Sequence, residues 1–170
     1  MGRFITRDSR LARHDLVVLE QHVREGQFQR ALALIAAFAG LLSGLEVSYE
    51  HYRGSFSQQV MWTPILVSAA LTVTGVASAM NRWVARVVLP VVSLLTMLDG
   101  VVGFYFHVRG VARKPGGWRV PVMNVIMGPP VFAPLLFATG GYLGLIASFL
   151  RRPGDAGLLV EKRSSLATLM

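Results

Sequence analysis

The stretch VARVVLPVVSLLTMLDGVVGFYF, from Val84 to Phe106, decides the fold class of this chain. Its only charged residues are Arg86 near its start and Asp99 in its second half. A run of about 20 apolar residues has the length that an α-helix needs to cross the hydrocarbon core of a bilayer. We therefore interpret this stretch as a transmembrane helix.

The rest of the chain has the composition that such a helix implies. Hydrophobic residues make up 53% of the sequence and charged residues 15%, whereas an average soluble domain has roughly 25% charged residues. No barrel-like alternation is present, so helices must satisfy the backbone in lipid. We predict an all-α integral membrane protein, a bundle of four transmembrane helices over about 31–150, whose other spans are Ala31–Tyr49, Val60–Met80 and Val131–Leu150.

The end of the Val84–Phe106 span belongs to a phrase that the sequence contains twice. LSGLEVSYEHYRG (Leu42–Gly54) and LDGVVGFYFHVRG (Leu98–Gly110) both have Gly, six residues, then His-x-Arg-Gly. Further along, VMWTPILV and IMGPPVFA share Met and Pro at the same spacing. The sequence therefore predicts two tandem helical hairpins, about 31–80 and 84–150, related by an axis along the membrane normal.

The distribution of Lys and Arg predicts the orientation. Twelve lie in segments on one side of the spans: Arg3, Arg7, Arg10, Arg13, Arg24, Arg30, Arg82, Arg86, Arg151, Arg152, Lys162 and Arg163. Five lie on the other side: Arg53, Arg109, Arg113, Lys114 and Arg119. The positive-inside rule then places both termini in the cytoplasm of a multi-pass protein of a bacterial-type inner membrane. Anionic lipid explains the net charge of +8, and no nucleic acid is needed.

The segments that flank the spans have different patterns. Within residues 1–30, LARHDLVVLEQHVREGQF spaces Ala12, Leu16, Leu19 and Val23 at helical intervals. This spacing predicts an amphipathic helix on the cytoplasmic face, or a helix that docks a partner. The tail over 151–170 is weakly patterned, and we expect it to be flexible. The chain has no cysteine, which excludes disulfides and thiolate chemistry.

The repeated phrase places a histidine on a face lined by glycine. On a helix, Gly44 lies on the face of His51, and Gly100 lies on the face of His107. Haem iron accepts imidazole as an axial ligand, so one hypothesis is a b-type haem between the two histidines. The glycines would leave room for the porphyrin, and Arg53 and Arg109 would pair with its propionates. The alternatives are close helix packing without a cofactor or another ligand.

Three acidic residues lie in or near the same spans. Glu50 is three residues before Arg53, which predicts an ion pair within the helix. Glu46, Glu50 and Asp99 are candidates for buried polar contacts, proton transfer or quinone binding, because ionisable groups inside a span are costly and usually functional. Together with His51 and His107 they also offer mixed oxygen and nitrogen ligands for a metal ion, although no paired ligand spacing supports that interpretation.

These observations lead to a functional expectation. We predict a small membrane subunit of a respiratory-type electron-transfer complex, which anchors a partner oxidoreductase and passes electrons towards quinone, through haem b if it is present. Its partners would be the lipid bilayer and neighbouring subunits. It is better described as an electron-transfer or non-catalytic subunit than as a stand-alone enzyme. The alternatives are a scaffold subunit without cofactor, a metal-binding protein, or a protein that translocates protons or solutes.

Overall fold

The computed structural model describes residues 16–18, 20–21 and 26–150, and within these ranges the chain is helical apart from short connections, with no strand. The long helices are α1 (Gln27–Arg53), α2 (Thr63–Met80), α3 (Leu89–Ala112) and α5 (Ala133–Phe149), and α4 (Pro121–Ile126) is short. Two 3-10 turns, Gln59–Trp62 and Gly117–Arg119, and a π-helical segment, Val84–Val88, complete the described elements. The predicted all-α class is confirmed.

Three of the helical segments are long and apolar enough to cross a membrane, namely Gln27–Arg53, Gln59–Met80 and Val84–Ala112. The fourth, α5, is apolar but has 17 residues. At 1.5 Å per residue it is about 25 Å long, somewhat less than the hydrocarbon core of about 30 Å. These helices suggest a membrane protein.

The four long helices form a bundle in which each helix has two principal neighbours. Helix α1 packs against α2 and α5, and α3 packs against the same two helices. The most extensive contacts join α1 to α2 and α3 to α5, as expected for helices that follow each other along the chain. Helices α1 and α3 therefore lie at opposite corners of the bundle.

Small residues let these helices approach closely. A Cβ on Gly75 of α2 would stand 2.7 Å from the main-chain oxygen of Ala33 and 2.8 Å from the Cβ of Ala37, both on α1. A Cβ on Gly141 of α5 would stand 2.6 Å from the main-chain oxygen of Ser93 on α3. Backbone contact of this kind is how helices associate in lipid, where burial of apolar surface offers little driving force.

The bundle is packed more tightly at one end than at the other. Its buried cluster combines residues from the first half of α1, the middle of α2, the start of α3 and the last turn of α5: Ala33, Ala36, Leu71, Leu89 and Ala147. The opposite end, where α1 and α3 terminate, contains a cavity instead. The outward faces are apolar, as the exposure of Phe38, Leu66 and Leu136 illustrates.

The connection between α2 and the next helix is a single extended residue, Asn81. Its side-chain oxygen accepts hydrogen bonds from the N–H groups of Trp83 (2.8 Å) and Val84 (3.3 Å), which caps the new helix. Pro90 follows in the first turn of α3. Because proline clashes with the carbonyl one turn earlier, the wider π-helical turn just before it relieves that contact.

The predicted segments outside the bundle are described only in small part. Residues 16–18 and 20–21 are helical, in agreement with the predicted N-terminal helix at those positions. Residues 11–15, 19 and 22–25 of that predicted helix and the tail over 151–170 lie outside the described residues.

Candidate functional site

A cavity of about 550 Å³ lies at the end of the bundle where α1 and α3 terminate. Its walls come from the last turns of α1 and α3, from the residues that lead into α2, and from the residues that lead into α5. The ionisable side chains among the lining residues are Glu46, Glu50, His51, Asp99, His107, Arg109 and Arg113. The volume falls within the range of small-molecule and cofactor sites, roughly 300–1,000 Å³.

His51 lies in the last turn of α1, and its ring is fixed by the segment that precedes α2. The Nδ1 atom is 2.7 Å from the main-chain oxygen of Met61. The turn that brings this segment back contains Phe56, which has a positive φ of 44°. Phe56 is held there because its N–H donates to the His51 carbonyl at 3.0 Å and its ring stacks on Trp62 at 4.4 Å. The strained backbone of the turn at Phe56 therefore helps to orient the end of α1.

His107 is held in the same manner in the second hairpin. It lies near the end of α3, and its Nδ1 atom is 2.7 Å from the main-chain oxygen of Pro130, in the loop that leads into α5. Both histidines line the cavity. The cavity therefore receives one imidazole from each of two helices that stand at opposite corners of the bundle.

These two hydrogen bonds determine which ring nitrogen carries the proton. A carbonyl oxygen can only accept, so Nδ1 must be the donor in both rings. In a neutral imidazole, Nε2 is then unprotonated and has a free lone pair. A hydrogen bond from Nδ1–H to a carbonyl is also the usual way in which proteins orient a histidine for metal ligation through Nε2.

The two arginines of the repeated phrase have different surroundings. Arg53 is exposed and forms the predicted ion pair with Glu50 at 3.3 Å, and its guanidinium lies 5.7 Å from the centre of the Tyr49 ring. Arg53 is not among the residues that line the cavity. Arg109 does line it and makes no ion pair within residues 26–150. Arg113, which sequence reasoning did not single out, lines it as well.

The acidic residues also separate into different roles. Asp99 on α3 is 2.6 Å from the hydroxyl of Thr63 at the start of α2, so it joins the two hairpins. Glu50 is paired with Arg53, and Glu46 lines the cavity on an exposed part of α1. No three His, Asp or Glu side chains converge on a possible metal position in the described part of the chain. The mixed carboxylate and imidazole metal site therefore gains no support.

The glycines of the repeated phrase lie in close contact with neighbouring helices. Gly44 does not line the cavity, and a Cβ there would collide with the Ser68 side chain of α2. Gly100 lines the cavity, but a Cβ there would stand 2.6 Å from the main-chain oxygen of Pro134 and 2.7 Å from the Cβ of Ala138. Helix contacts within each hairpin therefore occupy the space directly beside Gly44 and Gly100, so that a ligand between the two histidines would have to lie in the cavity itself.

Two polar residues of structural importance escaped the sequence analysis. Thr63 was missed because a threonine at the start of a span is common and its partner lies far away in sequence. Asn124 of α4 is buried, and its side-chain amide donates to the carbonyls of Pro115 (3.1 Å) and Gly117 (2.8 Å). The signal for Asn124 was its position as an amide in an otherwise apolar stretch.

Comparisons with models of protein families, with curated proteins and with solved structures find no match for this chain.

Proposed function

We propose that this chain is a small integral membrane subunit of an electron-transfer complex, and that His51 and His107 bind a b-type haem in the cavity between α1 and α3. The observation that carries the proposal is the shared orientation of the two rings. Each Nδ1 is 2.7 Å from a main-chain carbonyl oxygen, which leaves two Nε2 lone pairs at one cavity. Imidazole nitrogens can ligate haem iron, so His51 and His107 are the residues that would hold the group.

The charges around the cavity are consistent with a haem. Arg109 has a guanidinium at the cavity wall with no carboxylate already bound to it among the described residues, and it can pair with a propionate through two hydrogen bonds. Arg53 would first have to leave Glu50. When bound, the haem would supply one-electron chemistry, and the protein would supply the ligands, the orientation and the exclusion of water.

The arrangement of the helices supports the proposed duplication. Gly44 contacts Ser68 and Gly100 contacts Pro134, and these pairs are related by a shift of 56 residues in the first helix (100 − 44) and 66 in the second (134 − 68). The same two shifts relate the contact of Gly75 with Ala37 to that of Gly141 with Ser93. We infer two tandem hairpins of like orientation, about 31–80 and 84–150, whose two-fold axis runs along the membrane normal.

The proposed placement follows from this duplication. Four spans place both termini on one side, which the charge distribution assigns to the cytoplasm of a bacterial-type inner membrane. The histidine-bearing end then faces outward, where it would meet a partner oxidoreductase, and quinone in the bilayer would receive the electrons. The lipid bilayer and the neighbouring subunits are the other partners.

A second function, that of a scaffold subunit without cofactor, is favoured by one specific observation. The contacts of Gly44 with Ser68 and of Gly100 with Pro134 explain both glycines by helix packing alone. In that case Asp99 and Thr63 would only hold the hairpins together, and the histidines would only cap the return loops.

Absorption spectroscopy distinguishes the two functions. The protein purified from membranes with its partners should show a reduced b-type α band, and His51→Ala and His107→Ala should each abolish or shift it. His22→Ala is the matched control, because His22 precedes the first span in the sequence, and it should leave the band unchanged. A colourless wild-type assembly would reject the haem and favour the scaffold.

A further inference from the structure

The Thr63 hydroxyl, which contacts Asp99, lies close to two hydrogen-bond acceptors but has only one hydrogen to donate. The Thr63 hydroxyl oxygen is 2.6 Å from Asp99 Oδ1 and 2.9 Å from the main-chain oxygen of Val60. Both distances are short enough for hydrogen bonds. A hydroxyl has a single hydrogen to donate, so it cannot donate to an ionised Asp99 and to Val60 at the same time.

Two arrangements satisfy the distances, and they differ by one proton. If Asp99 is ionised, the Thr63 O–H donates to its carboxylate. If Asp99 is protonated, its O–H donates to the Thr63 oxygen, and the Thr63 O–H donates to the Val60 carbonyl. The two arrangements interconvert when Asp99 loses its proton to water or to a base in the cavity and the Thr63 hydroxyl rotates.

The rotation of the Thr63 hydroxyl requires no rearrangement of backbone hydrogen bonds. The Val60 carbonyl also accepts a hydrogen bond from the N–H of Thr63, so it keeps a partner when the hydroxyl turns away. The Val60 carbonyl therefore has a hydrogen bond in both arrangements. Rotation of a hydroxyl is therefore enough to accommodate either charge state of Asp99.

Among the three acids at the cavity, Asp99 is the one whose partner can respond to a proton. Glu50 is already paired with Arg53, and Glu46 has no hydrogen-bond partner within residues 26–150. The other charged or titratable groups around the cavity are His51 on α1, His107 and Arg109 on α3, and Arg113 directly after α3. The lining residues that lead into α2 and α5 include none. Ionisable residues placed within a span commonly mark proton pathways.

We propose that Asp99 is a proton-binding site of the cavity, and that the Thr63 hydroxyl transmits its charge state to the segment that orients His51. Thr63 directly follows the 3-10 turn Gln59–Trp62, whose Met61 carbonyl accepts the hydrogen bond from His51. When Asp99 loses or gains its proton, the hydrogen bond of the Thr63 hydroxyl therefore changes. Thr63 is two residues along the chain from Met61, whose carbonyl accepts from the His51 ring. The proposal goes beyond the assignment of a haem and does not depend on it.

Infrared difference spectroscopy of the full chain in lipid nanodiscs, titrated with acid and base, tests this proposal. All nine Asp and Glu residues give C=O bands when acid protonates them, and we expect one band among these to belong to Asp99 and to appear and disappear during the titration. Asp99→Asn should remove that band. Glu46→Gln is the matched control, because it removes an acid of the same cavity that has no such partner, and the band should remain.

The Thr63 variants test the role of the hydroxyl separately. Thr63→Val keeps the shape of the side chain but removes the hydroxyl, and we expect the carbonyl band to shift in frequency and to titrate at a different pH. Thr63→Ser should restore the wild-type behaviour. A band that survives Asp99→Asn, or a Thr63→Val spectrum identical to wild type, would overturn the proposal. The comparison of Thr63→Val with Thr63→Ser still tests the proposal if Asp99→Asn does not fold. The same measurements can be made on protein that contains no haem.

Discussion

Gly100 of α3 lies against Pro134 of α5 so closely that a Cβ on the glycine would stand 2.6 Å from the main-chain oxygen of the proline. Real Cβ atoms do not approach a backbone oxygen to this distance, so the position is closed to every side chain. Gly44, which has the same place in the repeated phrase of the sequence, faces a side chain instead, that of Ser68. The same residue type is therefore under different constraints in the two hairpins.

This difference predicts the order of stability of three alanine variants. Gly100→Ala should destabilise the bundle by about 3 kcal/mol, the upper part of the range for overpacking, because a backbone cannot move aside. Gly44→Ala should cost about 1 kcal/mol, because Ser68 can rotate. Gly54→Ala is the control, since its nearest atoms lie at 3.5 Å. Unfolding in detergent would measure the three, and an equal loss for Gly44→Ala and Gly100→Ala would contradict the assignment.

In the proposed haem-bound protein, Arg109 and Arg53 should differ in their effect on the retention of the haem. Charge-assisted hydrogen bonds contribute about 1.5–3 kcal/mol, so Arg109→Gln should raise the dissociation constant of haem on the order of tenfold. Arg53→Gln should change it less, because Arg53 is bound to Glu50 and does not line the cavity. Haem transfer to an acceptor protein would measure both. A larger loss for Arg53→Gln would mean that the propionates point away from Arg109.

The same substitution should have opposite effects at two asparagines. Asn124→Asp removes the two N–H donors that hold the carbonyls of Pro115 and Gly117, and it should cost about 1–3 kcal/mol. Hydrogen exchange should increase over 113–120. Asn81→Asp keeps the oxygen that accepts from Trp83 and Val84 and places a negative charge at a helix N-terminus, so stability should be unchanged or slightly higher. Equal losses at both sites would refute this account.

The proposed orientation can be tested by fusing reporters at two ends of the bundle. The excess of Lys and Arg on one side predicts that a fusion after Arg82 reports the cytoplasm and a fusion after Lys114 reports the outer side. Alkaline phosphatase and a fluorescent protein provide complementary readouts of the two compartments. The reverse pattern would place the cavity on the cytoplasmic side, and it would remove the basis for an outer-face partner.

The positions of the helices could be predicted from the sequence alone, because a lipid bilayer places the same requirement for length and apolar composition on every span. A bilayer selects apolar runs of about 20 residues whatever their neighbours are, so the predicted spans lie within or close to the observed helices. The helix ends differ by a few residues, as for α1, which begins at Gln27 and ends at Arg53 because a helix continues into its polar flanks. Helical spacing likewise predicted the ion pair between Glu50 and Arg53.

The contacts of the cavity were decided only by the tertiary structure. The acceptors of His51 and His107 are main-chain oxygens of Met61 and Pro130, and a carbonyl has the same chemistry at every residue, so no sequence pattern marks which one will face a ring. The partner of Asp99 is Thr63, 36 residues away, and their meeting depends on how the two hairpins pack. The sequence also did not show that Gly44 and Gly100 each contact a neighbouring helix, because a glycine can serve either a ligand or the close packing of helices.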